Sequence, residues 1–77
     1  MINKYSDVYK IIGQTIKKYR KEKNLTQVEL SDKSNISASY LTKIEALNYD
    51  KPFSFAIMVD ISKALEISIH KLLEDIE

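Results

Sequence analysis

The stretch that decides the fold is residues 24–45, NLTQVELSDKSNISASYLTKIE. Near its start, Thr26 and Glu29 match a capping box, in which a hydroxyl and a carboxylate each bond one free backbone N–H group at the start of a helix. This pair predicts a short helix over about Gln27–Ser34, which is the second helix of the chain.

A third capped helix is predicted within the same stretch. Asn35 tolerates the left-handed conformation of a turn, and Ser37 is suited to cap a helix that runs to about Ala46. Two short helices separated by about three residues predict a helix–turn–helix, which is the most informative feature of the sequence.

The segment before this stretch has the periodicity of a first helix, over Ser6–Lys23. Ser6 or Asp7 is suited to cap its start, and Asn24 to end it in a left-handed conformation. Its apolar residues recur at spacings of four, four and three, so they form one stripe that consists of Val8, Ile12, Ile16 and Tyr19.

Two more helices are predicted after a loop at Asn48–Ser54, where Pro52 prevents a helix from continuing. Ser54 is suited to cap the fourth helix and Ser68 the fifth. The apolar face of the fourth helix consists of Phe55, Met58, Ile61 and Leu65, and that of the fifth of Ile69, Leu72, Leu73 and Ile76. The sequence therefore predicts an all-α fold of five short helices in a single domain, residues 1–77.

The composition excludes several classes of protein. The 77 residues suffice for one small domain, and 44% apolar with 30% charged residues is typical of a soluble globular chain. The absence of cysteine excludes a disulfide framework and a thiolate zinc site. No apolar run approaches the roughly 20 residues that span a bilayer, and the charged N-terminal region is unlike a signal peptide. We therefore expect a cytoplasmic protein without a membrane partner.

Residue patterns typical of catalysis are missing from the sequence. A single glycine cannot form a glycine-rich phosphate loop, and no nucleophile elbow accompanies the serines. His70 has no Asp, Glu or Cys partner at metal-ligand spacing and is expected to be exposed. We predict no enzyme activity, no metal or other cofactor, and no small-molecule effector.

The net charge of +1 hides a gradient along the chain. Residues 1–39 carry eight basic and four acidic side chains, whereas residues 40–77 carry four basic and seven acidic ones. The segment Lys10–Lys23 alone has six basic residues against one acid. A concentrated positive face suits a polyanion such as DNA, although an ordinary solvated helix face has the same pattern.

The predicted third helix has two distinct faces at about 100° per residue. Tyr40, Leu41 and Ile44 share the inward face. The opposite face carries small or polar residues that are slim enough to approach base edges in the major groove, namely Ala38, Ser39, Thr42 and Lys43. Gln27, at the start of the second helix, is suited either to contact a phosphate or to brace the third helix. Taken alone, the four outward residues fit a plain exposed surface equally well.

These residues together resemble the Cro/repressor-type regulators, also called the XRE family. The resemblance is carried by Ile12-Gly13-Gln14, by the run from Ile16 to Leu30, by Ile36-Ser37 with Tyr40-Leu41 and Ile44-Glu45, and by the apolar pattern from Ile61 to Leu73. It covers about residues 10–74, with residues 1–8 as an N-terminal arm. It implies a compact lambda-repressor-like DNA-binding domain that regulates transcription from a palindromic operator.

The resemblance also implies roles for individual residues. Gln27 falls at a phosphate-contacting and bracing position, and Arg20 is expected to form a structural ion pair with Glu45. The base-facing positions are Ser37, Ala38, Ser39, Thr42 and Lys43, and the loop residues that contact the DNA backbone are Asn48, Tyr49 and Lys51.

Five residues depart from the family pattern. Asn35, Glu66 and Leu47 replace common glycines; Asn35 tolerates the left-handed conformation, whereas Glu66 does so less well and predicts a different local turn before the fifth helix. Asp50 and Phe53 occupy a loop that is often basic, which predicts weaker phosphate contacts there.

Oligomeric state and partner class remain open in the sequence. A dimer reads two half-sites one DNA turn apart, and the candidate residues for a homodimer interface are Ile69, Leu72, Leu73 and Ile76. The alternative is that all four pack within one chain. Ile2, Tyr5, Val8 and Tyr9 form either a second contact arm or an extension of the first helix. A helix–turn–helix used as a protein-interaction module, or as an antitoxin that binds both a toxin and DNA, is the competing function.

Overall fold

A computed structural model describes residues 4–76, and within that range the helices are connected by turns and loops, with no strand. The five helices are α1 (Lys4–Glu22), α2 (Gln27–Ser34), α3 (Ala38–Glu45), α4 (Phe55–Leu65) and α5 (Ile69–Leu72). Helix α2 packs against α3 and α4, and α1 packs against α3. The predicted five-helix, all-α fold is confirmed. No helix in the described range is long and apolar enough to cross a membrane.

Side-chain caps define the starts of three helices as predicted. Thr26 and Glu29 form a complete capping box at α2. The Ser37 hydroxyl accepts a hydrogen bond from the Tyr40 N–H group at 3.0 Å, and Ser54 accepts one from Ile57 at 3.1 Å. Ser68 precedes α5 with an extended backbone, but its side chain makes no capping bond.

Among residues 4–76, three residues other than glycine have a left-handed backbone: Asn24, Asn35 and Glu66. The two asparagines end α1 and α2 as predicted. Glu66 also has a φ of 60°, so the prediction of a different turn at this position is wrong. The left-handed conformation lets the N–H groups of Glu66 and Ile67 bond the carbonyls of Lys63 and Ser62, both at 3.0 Å. These hydrogen bonds satisfy two carbonyl groups at the C-terminal end of α4. They offset the strain of about 1–2 kcal/mol that a left-handed backbone imposes on a residue with a β-carbon.

Within residues 7–76, whose side chains the structure describes, nine apolar side chains that are at most 5% exposed form the core: Ile12, Ile16, Leu30, Leu41, Ile44, Phe53, Ile61, Leu65 and Leu72. The predicted stripe on α1 is confirmed, with Val8 and Tyr19 packed at the core's edge. All five helices contribute to this core or pack on it, which fixes α3 in place against α1.

Two phenylalanines have exchanged their expected roles. Phe55 was predicted on the apolar face of α4, but it is 63% exposed. At about 100° per residue, its six-residue separation from Ile61 places it about 120° away from the buried side of the helix. Phe53, predicted in a DNA-facing loop, is 5% exposed and packs edge-to-face on Tyr9 with ring centroids 5.0 Å apart.

The proposed N-terminal arm is largely a continuation of α1. The helix begins at Lys4, so residues 4–8 extend it, and Val8 and Tyr9 pack against the core. Ile2 and the side chain of Tyr5 lie outside the described residues.

Candidate nucleic-acid interface

Helix α3 presents the two faces that its periodicity predicts. Leu41 and Ile44 are at most 1% exposed and hold the helix onto the domain. The side chains expected to face DNA lie on the opposite side: Ser37, Ser39, Thr42 and Lys43 are exposed, and Ala38 is half-buried. The outer face is thus a narrow surface of short side chains, with one cation in its last turn.

Close contact with α1 positions the C-terminal end of α3. A β-carbon built on Gly13 would lie 2.1 Å from the carbonyl oxygen of Ile44, so no larger residue fits there without separating the helices. The Gln14 side chain donates a 2.9 Å hydrogen bond to the next carbonyl, that of Glu45. Sequence reasoning assigned no role to these two residues, although a lone glycine inside a helix was a signal of close packing.

A buried ion pair joins the same two helices. Arg20 donates to both carboxylate oxygens of Glu45, from Nε at 2.8 Å and from Nη2 at 2.9 Å. The residues are only 8% and 3% exposed, and the third guanidinium nitrogen donates to the carbonyl of Leu25 at 2.7 Å. Arg20 therefore links α1, the turn before α2 and the end of α3, which is a structural arrangement and not a surface for DNA.

Gln27 connects this ion pair to the outer face of α3. Its Nε2 donates to Glu45 at 3.0 Å, and its Oε1 accepts a hydrogen bond from the Thr42 hydroxyl at 2.9 Å. The Thr42 oxygen also lies 2.9 Å from the carbonyl of Ala38. Gln27 therefore braces α3, and it is half-buried at the start of α2.

The N-terminus of α2 lies beside Gln27. The capping box uses the N–H groups of Thr26 and Glu29. The hydrogen bond that the Thr26 N–H group donates to the Glu29 carboxylate, followed by the effect of the Thr26 side chain, holds the pKa of the Glu29 carboxyl below its ordinary value. Within the described part of the chain, the N–H groups of Gln27 and Val28 have no acceptor. Free N–H groups and the positive end of the helix dipole favour an anion at this point.

The loop after α3 contains the remaining predicted contacts. Asn48 and Lys51 are exposed, whereas Tyr49 is half-buried and packs against the core. Burial, followed by the nearby hydroxyl of Tyr49, raises the pKa of Tyr40. Tyr40 and Tyr49 both pack against the core, which holds the loop beside α3, whereas Asn48 and Lys51 on either side of Tyr49 are exposed.

The candidate dimer residues do not form one surface. Leu72 is fully buried in the core, so its assignment to an exposed interface is wrong. Helix α5 ends at Leu72, and the backbone turns after it, which exposes Leu73 to 38% and leaves Ile69 and Ile76 half-buried. Leu73 is the apolar side chain of this group that is most available to a partner.

The C-terminal turn is fastened to α1 by a polar cluster that sequence reasoning did not identify. Glu74 accepts hydrogen bonds from Lys18 at 2.6 Å and from Tyr19 at 2.7 Å. These bonds, with Lys18 first, hold the pKa of the Glu74 carboxyl below its ordinary value. His70 is exposed, and no group of metal-binding side chains occurs within residues 4–76.

Comparison with known proteins identifies relatives that are named as regulators. The helix-turn-helix family model matches residues 16–72. The transcriptional regulator SinR of Bacillus subtilis is 40% identical over 65 residues, which cover 84% of this chain and 58% of SinR. The immunity repressor protein of Bacillus phage phi105 is 43% identical over 58 residues, 75% of this chain and 39% of the repressor. The chain thus spans about half the length of these relatives.

The chain is also similar to solved structures of regulatory proteins. The structure of SinR, the master regulator for biofilm formation, in complex with DNA has a TM-score of 0.74 at 42% identity, covering 80% of this chain and 97% of that one. The restriction-modification controller protein C.AhdI from Aeromonas hydrophila has a TM-score of 0.76 at 28% identity, covering 88% and 98%.

Proposed function

This chain belongs to the XRE-type helix–turn–helix family, and from that premise we propose that it is a sequence-specific, DNA-binding transcriptional regulator. It acts by occupying an operator, as a repressor or autoregulator, without a catalytic step or cofactor and in the cytoplasm. The relatives named immunity repressor and transcriptional regulator, and the DNA complex of SinR, support this class of function.

The observation that carries the proposal is the rigid presentation of the outer face of α3. The short polar side chains of this face are exposed. On the other side, α1 holds the C-terminal end of α3 through the close approach of Gly13, the Gln14 hydrogen bond and the Arg20–Glu45 pair. A helix that enters the major groove needs both a slim leading face and a fixed orientation, because base contacts depend on hydrogen-bond geometry.

The roles of individual residues in the proposed interface are those that the family resemblance implies. The base-facing residues are Ser37, Ala38, Ser39, Thr42 and Lys43. The start of α2, together with Gln27, contacts one phosphate. The loop residues that contact the DNA backbone are Asn48, Tyr49 and Lys51. Phosphate contacts set the register of the protein on the duplex, and base contacts supply specificity.

We also propose that the protein binds a palindromic operator as a homodimer. One α3 reads only a few base pairs, so two copies related by a two-fold axis are needed to recognise half-sites about 34 Å apart. Leu73, which is 38% exposed, is the apolar side chain near the C-terminal turn that supports self-association.

The test is binding to the duplex just upstream of the coding region, measured from about 50 to 200 mM salt. We expect a specific complex whose affinity falls steeply with salt, because each neutralised phosphate contributes about 0.9 to the logarithmic slope. Two charge reversals form a matched pair, since Lys43 and Lys63 are both exposed and both lie in the last turn of a helix. Lys43→Glu should abolish specific binding, whereas Lys63→Glu should change it little.

Three results would count against the proposal. Equal binding to random DNA would remove sequence specificity, and equal effects of the two charge reversals would remove α3 from the interface. No binding to any duplex would favour the protein-interaction module instead, and a pull-down would then identify the partner. The symmetry of a footprint decides separately whether a dimer binds.

A further inference from the structure

We propose that Thr42 reads DNA only as a hydrogen-bond acceptor and therefore selects a base whose exocyclic amino group lies in the major groove, adenine or cytosine, at the position it faces. The inference rests on the proposed DNA-binding function and adds the polarity of one contact to it. A threonine hydroxyl can ordinarily donate or accept, so residue type alone leaves this polarity open.

The first step is the orientation of the Gln27 amide. The Glu45 carboxylate already accepts two hydrogen bonds from Arg20, and its Oε1 is also 3.0 Å from the Gln27 side chain. An ionised carboxylate can only accept, so the NH₂ group of Gln27 must be the end that faces it. The amide oxygen of Gln27 is consequently the end that faces Thr42.

The second step is the position of the Thr42 proton. The hydroxyl oxygen lies 2.9 Å from the Gln27 amide oxygen and 2.9 Å from the carbonyl oxygen of Ala38. Both neighbours are acceptors without a proton, so the single hydroxyl proton points inward, towards one or both of them. If it turned outward, oxygens 2.9 Å apart would face each other without a hydrogen between them. The exposed side of Thr42 therefore carries lone pairs.

The third step is the chemistry of the major groove. Adenine N6 and cytosine N4 are donors there, whereas thymine O4 and guanine O6 and N7 are acceptors. A lone pair on Thr42 bonds the first two and opposes the others. From the net value of a single hydrogen bond, we expect adenine or cytosine to be preferred over thymine or guanine by about three- to tenfold.

The experiment is selection of binding sites from random duplexes, run in parallel with wild type and with Thr42→Val, which keeps the shape but has no hydroxyl. Wild type should enrich adenine or cytosine at one position of each half-site, and the valine variant should lose that preference while keeping the others. Thr42→Ser retains the hydroxyl and should keep it. Thermal melting of each variant verifies that it is folded.

A probe on the DNA side keeps the test independent of the variants. Purine in place of the selected adenine lacks the amino group and should weaken binding by wild type about three- to tenfold, but not binding by Thr42→Val. If cytosine is selected, pyrimidin-2-one serves in the same way. Enrichment of thymine or guanine at the Thr42-dependent position, or a valine variant with an unchanged site, would overturn the inference. If wild type enriches no sequence, the proposed function itself fails.

Discussion

Replacing Gly13 by alanine tests how closely α1 must approach the recognition helix. A β-carbon at this position would lie 2.1 Å from the Ile44 carbonyl oxygen, whereas ordinary contact begins at 3.4 Å. The helices must therefore separate by about 1 Å, and the 2.9 Å hydrogen bond from Gln14 to the Glu45 carbonyl is lost or lengthened.

The expected magnitude is the balance of three terms. Overpacking costs about 1–3 kcal/mol, and the Gln14 hydrogen bond adds about 1 kcal/mol. Alanine is a better helix former than glycine by about 1 kcal/mol, which opposes the loss. The free energy of unfolding should fall by about 1–3 kcal/mol, and the melting temperature by about 5–20 °C for a domain of this size.

Thermal unfolding followed by circular dichroism measures this directly. Gln14→Ala is the control, because it removes the hydrogen bond without adding volume, and should cost about 1 kcal/mol. Specific DNA binding by Gly13→Ala should weaken even below its melting temperature, since α3 is displaced. An unchanged or raised melting temperature would mean that helix propensity alone governs this position and would refute the close-packing argument.

Two further variants test the other contacts around α1. Arg20→Met leaves the Glu45 carboxylate buried without its partner, so the free energy of unfolding measured in urea should fall by about 3–5 kcal/mol. The double variant Arg20→Met with Glu45→Leu should recover part of this loss, and an Arg20→Met variant as stable as wild type would contradict the buried pair. The hydrogen bonds from Lys18 and Tyr19 lower the pKa of Glu74 in the folded state. Its stabilising effect is therefore fully present when the pH is above the ordinary pKa of 4.5, and it is lost as the pH falls through the lower pKa of the folded state. Glu74→Gln should flatten the decline in unfolding free energy below about pH 4.5, and parallel curves for the two proteins would show that the cluster contributes nothing.

Local signals were sufficient to predict most of the scaffold. The capping box at Thr26 and the Ser37 cap depend on residues three apart, and these bonds form within one turn of helix. For the same reason the bounds of α2 and the two faces of α3 follow from short-range periodicity. Residues 25 apart have no local pattern that joins them, so periodicity does not predict the ion pair between Arg20 and Glu45. This pair was expected from the family resemblance instead.

Contacts between distant segments account for what the sequence did not predict. The approach of Gly13 to Ile44 depends on how α1 crosses α3, and helical periodicity does not determine that crossing. Phe53 is buried because the loop folds back onto Tyr9, and this leaves Phe55 outside the core. At Glu66, two backbone hydrogen bonds outweigh a modest residue preference.

Amide chemical shifts recorded during titration with a specific duplex map the interface and test most directly whether α3 reads DNA. We expect the largest changes at the start of α2 and along α3, over residues 26–28 and 37–43, with further changes at 48–51. Amides of α5 should change only through dimer formation. Changes confined to α4 and α5, with α3 unaffected, would contradict the claim that α3 reads DNA.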